Sequence, residues 1–267
     1  RISSKNGTSG SWITVSRYPG DTKPVLDCAA LTPYARFHRG MGIANCSYIK
    51  FVGLKITNVR EYSASIHTYS GIGLEMDTCN NITLDQCEIT GCMNGFGFSQ
   101  TVNTNINFIN CDSYYNWDEY QYGDLCNGFN GNVGLGSTIY FTGCRAWFNC
   151  DDGFDFMGGS GYIVMRNCWA FNNRKWHGGD ENGNGDGFKL GHRASYRVDE
   201  SGNTRILYNC ISANNGLMGF DESMDITTAQ NMALYNCIAY NNEDYYSGFR
   251  FGVTAGTGVT TLRNNIA

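Results

Sequence analysis

Proline is nearly absent, with 3 residues in 267, and charged residues make up only 16% of the chain. No apolar run approaches the ~20 residues that a membrane span needs, and no Cys-x-x-Cys pair is present to suggest a structural zinc site. No leader-like segment opens the chain. The formal net charge is −5, and a mildly acidic surface argues against nucleic acid as the main partner. What is plentiful is glycine, 34 residues, together with asparagine. Gly and Asn in quantity, with 42% hydrophobic residues, favour a β-rich chain with many turns. The opening RISSKNGTSG and the closing LRNNIA carry no clear cap. The expectation is one domain, 1–267, lacking its terminal capping segments.

Twelve cysteines would suggest disulfides in a small secreted chain. Here they recur in a repeated context instead. A short β pattern ends in Cys in NNITLDQCEIT, NINFINCDSYYN, STIYFTGCRAWFN, GYIVMRNCWAFNN, NTRILYNCISANN and NMALYNCIAYNN. The cysteines are Cys87, Cys111, Cys144, Cys168, Cys210 and Cys237, spaced 24, 33, 24, 42 and 27 apart. Leu54 takes the Cys slot one unit earlier and Asn265 one unit later. Five residues after the Cys comes Asn116, Asn149, Asn173, Asn215 or Asn242, the residue type that turns and left-handed backbone favour.

A second column reads Gly-aromatic: Gly95-Phe96, Gly128-Phe129, Gly153-Phe154, Gly187-Phe188, Gly219-Phe220 and Gly248-Phe249, with Gly71-Ile72 as a weaker early copy. Two short strands in fixed register, joined by segments of variable length, read as an all-β parallel β-helix with stacked Cys, Phe and Asn ladders. A sandwich gives no such columns, and a propeller wants a steadier blade length. The cysteines are then small buried hydrophobes.

If the aromatic points inward, the residues just before the Gly and just after the aromatic are expected to point outward. That face is bland early in the chain and then ionisable: Asn127 and Asn130, Asp151, Asp152 and Asp155, Asp186 and Lys189, Asp221, Arg250. Stacking sets Lys189 between Asp155 and Asp221, and Asp152 one coil from both Asn127 and Asp186. A solvated face with weak cross-coil ion pairs is the bland reading. Three aspartates within 151–155 repel one another, however, and an oxygen-rich cluster of this kind suits Ca²⁺ better than Mg²⁺.

NCDSYYNWDEY, CNGFNGN, GCRAWFNCDDGFDF, WAFNN and NGNGDGFKLG together resemble polysaccharide lyase family nine, most densely from Cys111 to Arg193. The resemblance implies a right-handed parallel β-helix that cleaves pectic polysaccharides. It implies Ca²⁺ on Asp151, Asp152 and Asp155, with Asn127 where the family has a fourth aspartate, and Lys189 as Brønsted base. Asp186, Asp221 and Arg250, with Arg193, His177 and Trp176 of the longest Cys-to-Cys segment, are the expected substrate-binding residues; Tyr120 and Tyr122 are further stacking candidates. The expected partner is an acidic plant-type polysaccharide, polygalacturonate or rhamnogalacturonan I, met by a monomer that is secreted, periplasmic or on the cell surface. The alternatives are a β-helix glycoside hydrolase, whose usual Gly-His-Gly and Arg-x-Lys segments are missing, a uronate epimerase, or a non-catalytic carbohydrate-binding β-helix.

Overall fold

The computed structural model describes residues 1–31, 38–61, 71–99, 101–118, 123–175, 183–191, 203–222, 230–243, 248–251 and 259–267. Among these, all named elements are strands, and every strand pairing is parallel. They form three sheets of nine, nine and eight strands, each strand bonded to its counterparts one coil before and one coil after. One coil illustrates the plan. Phe154–Asp155 belongs to the first sheet, Tyr162–Arg166 to the second and Trp169–Phe171 to the third. The chain then rises one step and repeats, giving the expected parallel β-helix. No helix among the described residues is long and apolar enough to cross a membrane.

The columns read from the sequence are physical stacks. Phe96, Phe129, Phe154, Phe188, Phe220 and Phe249 lie in register on the first sheet. Their successive ring centroids are 4.7 to 4.9 Å apart and their planes nearly parallel, so the rings repeat at the strand spacing of about 4.8 Å. The early copy is corrected by one step of alternation: Leu74, not Ile72, pairs with Phe96, and Ile72 pairs with Asn94. All twelve cysteines are buried free thiols. Burial pushes Cys92 up to about 12, which keeps that thiol neutral and inert.

The asparagine column is a buried amide ladder rather than a set of left-handed residues. Asn116 Nδ2 donates to Asn149 Oδ1 at 2.8 Å, Asn149 to Asn173 at 3.0 Å, Asn173 to Asn215 at 2.9 Å and Asn215 to Asn242 at 3.0 Å. The positive φ falls one residue earlier, on Tyr115, Phe148, Asn172, Asn214 and Asn241. Each ladder oxygen also accepts the backbone N–H of the coil before it, so the corner leaves no buried donor unmet. The glycine of the Gly-aromatic pair faces this ladder. A Cβ on Gly187 would meet Ser212 Oγ at 2.0 Å, Gly219 O at 2.8 Å and Asn215 Nδ2 at 2.9 Å. Close approach of successive coils, rather than turn geometry, therefore demands glycine there.

Candidate active site

The residues after the aromatic column stack as expected: Asn130 on Asp155, Asp155 on Lys189, Lys189 on Asp221, Asp221 on Arg250. They follow one another along the side of the first sheet opposite the aromatic stack. On the N-terminal side of Asp155 this face is the floor of a groove of about 520 Å³ bordered by Arg39, Glu75, Ser99, Asn130, Asp155 and Met157. From Glu75 to Asp155 is three coil steps, roughly 14 Å at the strand spacing. The groove therefore runs along the helix axis, suited to an extended polymer. Arg39 and Glu75 form an ion pair at its far end.

The residues before the glycine do not point outward, which corrects the expectation for Asn127, Asp152 and Asp186. All three are fully buried. The chain bends at 151–153, just ahead of the strand, so strand alternation does not carry through to them. Their side-chain oxygens instead cap the backbone of the following coil. Asn94 Oδ1 accepts the Asn127 N–H at 3.0 Å, Asn127 Oδ1 that of Asp152 at 2.9 Å, Asp152 Oδ1 that of Asp186 at 2.7 Å and Asp186 Oδ1 that of Met218 at 2.9 Å. This second ladder begins with two amides and continues with two carboxyls.

Lys189 reaches into the acidic part of that ladder. Its Nζ lies 3.0 Å from Asp152 Oδ2 and 3.9 Å from Asp186 Oδ2, and the residue is 7% exposed. Asp151 is pinned by the Asn184 N–H at 2.7 Å and the Leu125 N–H at 3.1 Å, the latter from a residue at φ 101, a strained conformation for leucine. Asp155 Oδ1 accepts the Met157 N–H at 3.0 Å, and its Oδ2 takes the Asn127 amide at 3.3 Å. Asp221 and Arg250, expected to meet substrate, form a two-point ion pair at 2.7 and 2.6 Å. Arg193, His177 and Trp176 lie outside the described residues, as do Tyr120 and Tyr122.

Charge in the cluster is unbalanced. Burial raises Asp152 to about 7, reinforced by the charge of Asp151 and opposed by Lys189. Burial also raises Asp151 and Asp155 to about 6; Lys189 opposes this, while Asp155 and Asp152 respectively add to it, as does Asp124. Asp186 is pushed well above the carboxylate range by burial and by Asp152. Burial alone would lower Lys189, but Asp152, Asp155, Asp151 and Asp186 outweigh it and hold the ammonium well above its ordinary value. Asp124, whose charge adds to the rise of Asp151 and Asp155, was missed by periodicity because it lies in the variable segment between Cys111 and Phe129, where no column marks it.

One ammonium cannot balance these carboxyls, so protons or a divalent cation must supply the rest. The donor set, all carboxylate oxygen, suits Ca²⁺ chemically. Among the described residues, no three acidic, His or Cys side chains already converge on one point as a closed metal cage. Asn127 presents its NH₂ to Asp155 and spends its oxygen on the Asp152 N–H. It is therefore turned away from the role of fourth oxygen ligand, leaving Asp151, Asp152 and Asp155 as the candidates.

The fold is a parallel β-helix with an axial groove that ends at a buried lysine–carboxylate cluster. A family model described as "Pel9A-like, right handed beta helix region" matches residues 1–265, and the chain belongs to that family, which also gives the hand of the coil. Pectate lyase L of Dickeya chrysanthemi is 33% identical over 161 residues, covering 60% of this chain and 35% of the relative. The chain thus spans about a third of that relative's length. Two solved structures share the fold. Pectate lyase Pel9A superposes with a TM-score of 0.70 at 23% identity, over 100% of this chain and 64% of the other. A rhamnogalacturonan lyase superposes with 0.75 at 21% identity, over 99% and 72%.

Proposed function

We propose that the chain is a polysaccharide lyase that cleaves a uronic-acid-containing pectic polymer, polygalacturonate or rhamnogalacturonan I, by β-elimination with Lys189 as the base. The observation that carries this reading is Lys189 itself. It is a nearly buried lysine, in register with Asp155 at the end of a linear groove, its Nζ held 3.0 Å from Asp152. The kinship with a pectate lyase supports the reaction class, and a secreted, monomeric enzyme is part of the same proposal.

β-Elimination removes the proton at C5 of a uronate, the electron pair left behind forms the C4–C5 double bond, and the oxygen at C4 departs with a proton from water. Lys189 takes the C5 proton. Asp152 and Asp186 fix the ammonium that results and hold Nζ in one place between turnovers. The groove from Glu75 to Asp155 lays the polymer along the axis. Asp151, Asp152 and Asp155 would hold Ca²⁺, which supplies the positive charge that neutralises the uronate carboxylate and offsets the field keeping Lys189 protonated. Asp221 holds Arg250 by two parallel bonds, so this guanidinium borders the cluster as a fixed positive charge.

The test is ultraviolet absorbance of the C4–C5 unsaturated product, with pectate and with rhamnogalacturonan I, in the presence of Ca²⁺. Lys189→Met, a close match in volume, is expected to reduce turnover by about 10³-fold with the unfolding transition intact. Turnover retained in this variant would move the base elsewhere. New reducing ends without the unsaturated product would favour a hydrolase.

A further inference from the structure

The second sheet carries an inward column of Ile49, Ile82, Ile106, Ile139 and Ile163. The next member is Arg205, and Met232 follows. Arg205 is 0% exposed. A guanidinium in a packed aliphatic column is costly unless its donors find acceptors, and here Nη1 and Nη2 find four carbonyls, three of them in one loop. Nη2 donates to Phe156 O at 3.3 Å and Gly159 O at 3.1 Å; Nη1 donates to Gly161 O at 2.5 Å and Thr204 O at 3.3 Å. Phe156, Gly159 and Gly161 are the start, middle and end of the segment joining the site strand Phe154–Asp155 to the second sheet.

That segment touches the site in three ways. The Met157 N–H holds Asp155 Oδ1 at 3.0 Å. Met157 and Gly158 wall the groove beside Asp155. The Phe156 N–H donates to the Lys189 carbonyl at 2.9 Å. The loop is anchored at points along its length: Phe156 packs in the core against Phe98 and Phe141, the Gly161 N–H donates to the Val133 carbonyl at 2.9 Å, and Gly159, at φ +94, lies so close to Val133 that a Cβ would meet its backbone at 2.3 Å. A rigid planar fork reaching both ends of such a loop from the core fixes it in a way that a single ammonium or an aliphatic side chain cannot.

We infer that Arg205 is a positioning residue: from the protein core it sets residues 156–161, and through Met157 it orients the Asp155 carboxylate and the groove wall. The consequence for turnover rests on the lyase reading above; the consequence for the loop does not.

The experiment compares Arg205→Met, Arg205→Lys and Met232→Ala. The last variant lies in the same column one coil on and is a purely structural control. Hydrogen exchange of the 156–161 amides and steady-state kinetics on the uronate polymer are read at matched loss of thermal midpoint. Arg205→Met is expected to speed exchange in 156–161 several-fold and to lower kcat/KM by about 100-fold, the cost of a roughly 1 Å misplacement. Arg205→Lys should fall between it and the wild type. Met232→Ala should leave both readouts unchanged. Unaltered exchange at 156–161 in Arg205→Met, or an equal kinetic loss in Met232→Ala, overturns the inference. If Arg205→Met does not fold, Arg205→Lys decides alone: wild-type exchange and kinetics in it overturn the inference. If the wild-type chain turns over no uronate polymer, the lyase reading falls, and the exchange comparison still decides the role of Arg205.

Discussion

Asp152→Asn keeps the shape of the site and removes one charge. The ladder position already holds asparagine at Asn94 and Asn127, and the Asp186 N–H needs only the side-chain oxygen that Asn retains. What is lost is the carboxylate facing Lys189. In the folded chain this carboxyl sits at about 7, against 3.8 for an ordinary aspartate. Between those values the native state binds a proton that the unfolded state does not. Stability therefore falls as pH rises through the window, by about 1.4 kcal/mol per pH unit and on the order of 4 kcal/mol in total. Lys189, held above its ordinary value, contributes stability that is fully present throughout this window. His38, lowered by burial, loses stability as pH falls through about 6.5, equally in both proteins, so it cancels in the difference. Unfolding midpoints measured with a chelator from about pH 5 to 8 should show the variant gaining on the wild type by about 1.4 kcal/mol per unit up to pH 7, roughly 2–4 °C per unit. Added Ca²⁺ at pH 8 should then raise the wild-type midpoint more than that of the variant. A difference between the two proteins that stays flat with pH would refute the proton-loaded cluster.

Asn173→Ala removes the amide that accepts the Asn149 N–H and Nδ2 and donates to Asn215. It should cost about 3 kcal/mol or more and lower the thermal midpoint by roughly 6 °C, read by calorimetry. Gly187→Ala drives a methyl into Ser212 and the Gly219 carbonyl and should destabilise by at least 1–3 kcal/mol in denaturant titration. Lys189 must shed a proton to act, and the carboxyls around it oppose that loss. The pH profile of kcat/KM on pectate, with Ca²⁺ saturating, should therefore climb about tenfold per unit on its acid limb; a profile flat from neutral to alkaline pH would exclude lysine as the base.

Much of the fold was legible because a solenoid repeats its chemistry. Cys111, Cys144 and Cys168 announced one stack, and Phe129, Phe154 and Phe188 another. The register that sets Lys189 between Asp155 and Asp221 followed from counting. Errors arose where the chain bends. Alternation predicted an outward Asp152, but the bend at 151–153 turns it onto the backbone of the next coil. Asn127 likewise caps the Asp152 backbone, and at the neighbouring corner the positive φ falls on Phe148 rather than on Asn149.

The sequence by itself therefore determined the stacked coils, the columns, and the placing of an ionisable strip on one strand face, because each depends only on residue type at a recurring position. Tertiary structure alone decided which partners those side chains take. Lys189 chooses Asp152 over its register neighbours Asp155 and Asp221, Arg250 closes on Asp221, and Arg205 crosses the core to a loop 44 to 49 residues earlier. Such choices follow from bend geometry, burial and the positions of backbone carbonyls in segments of unequal length, none of which a period records.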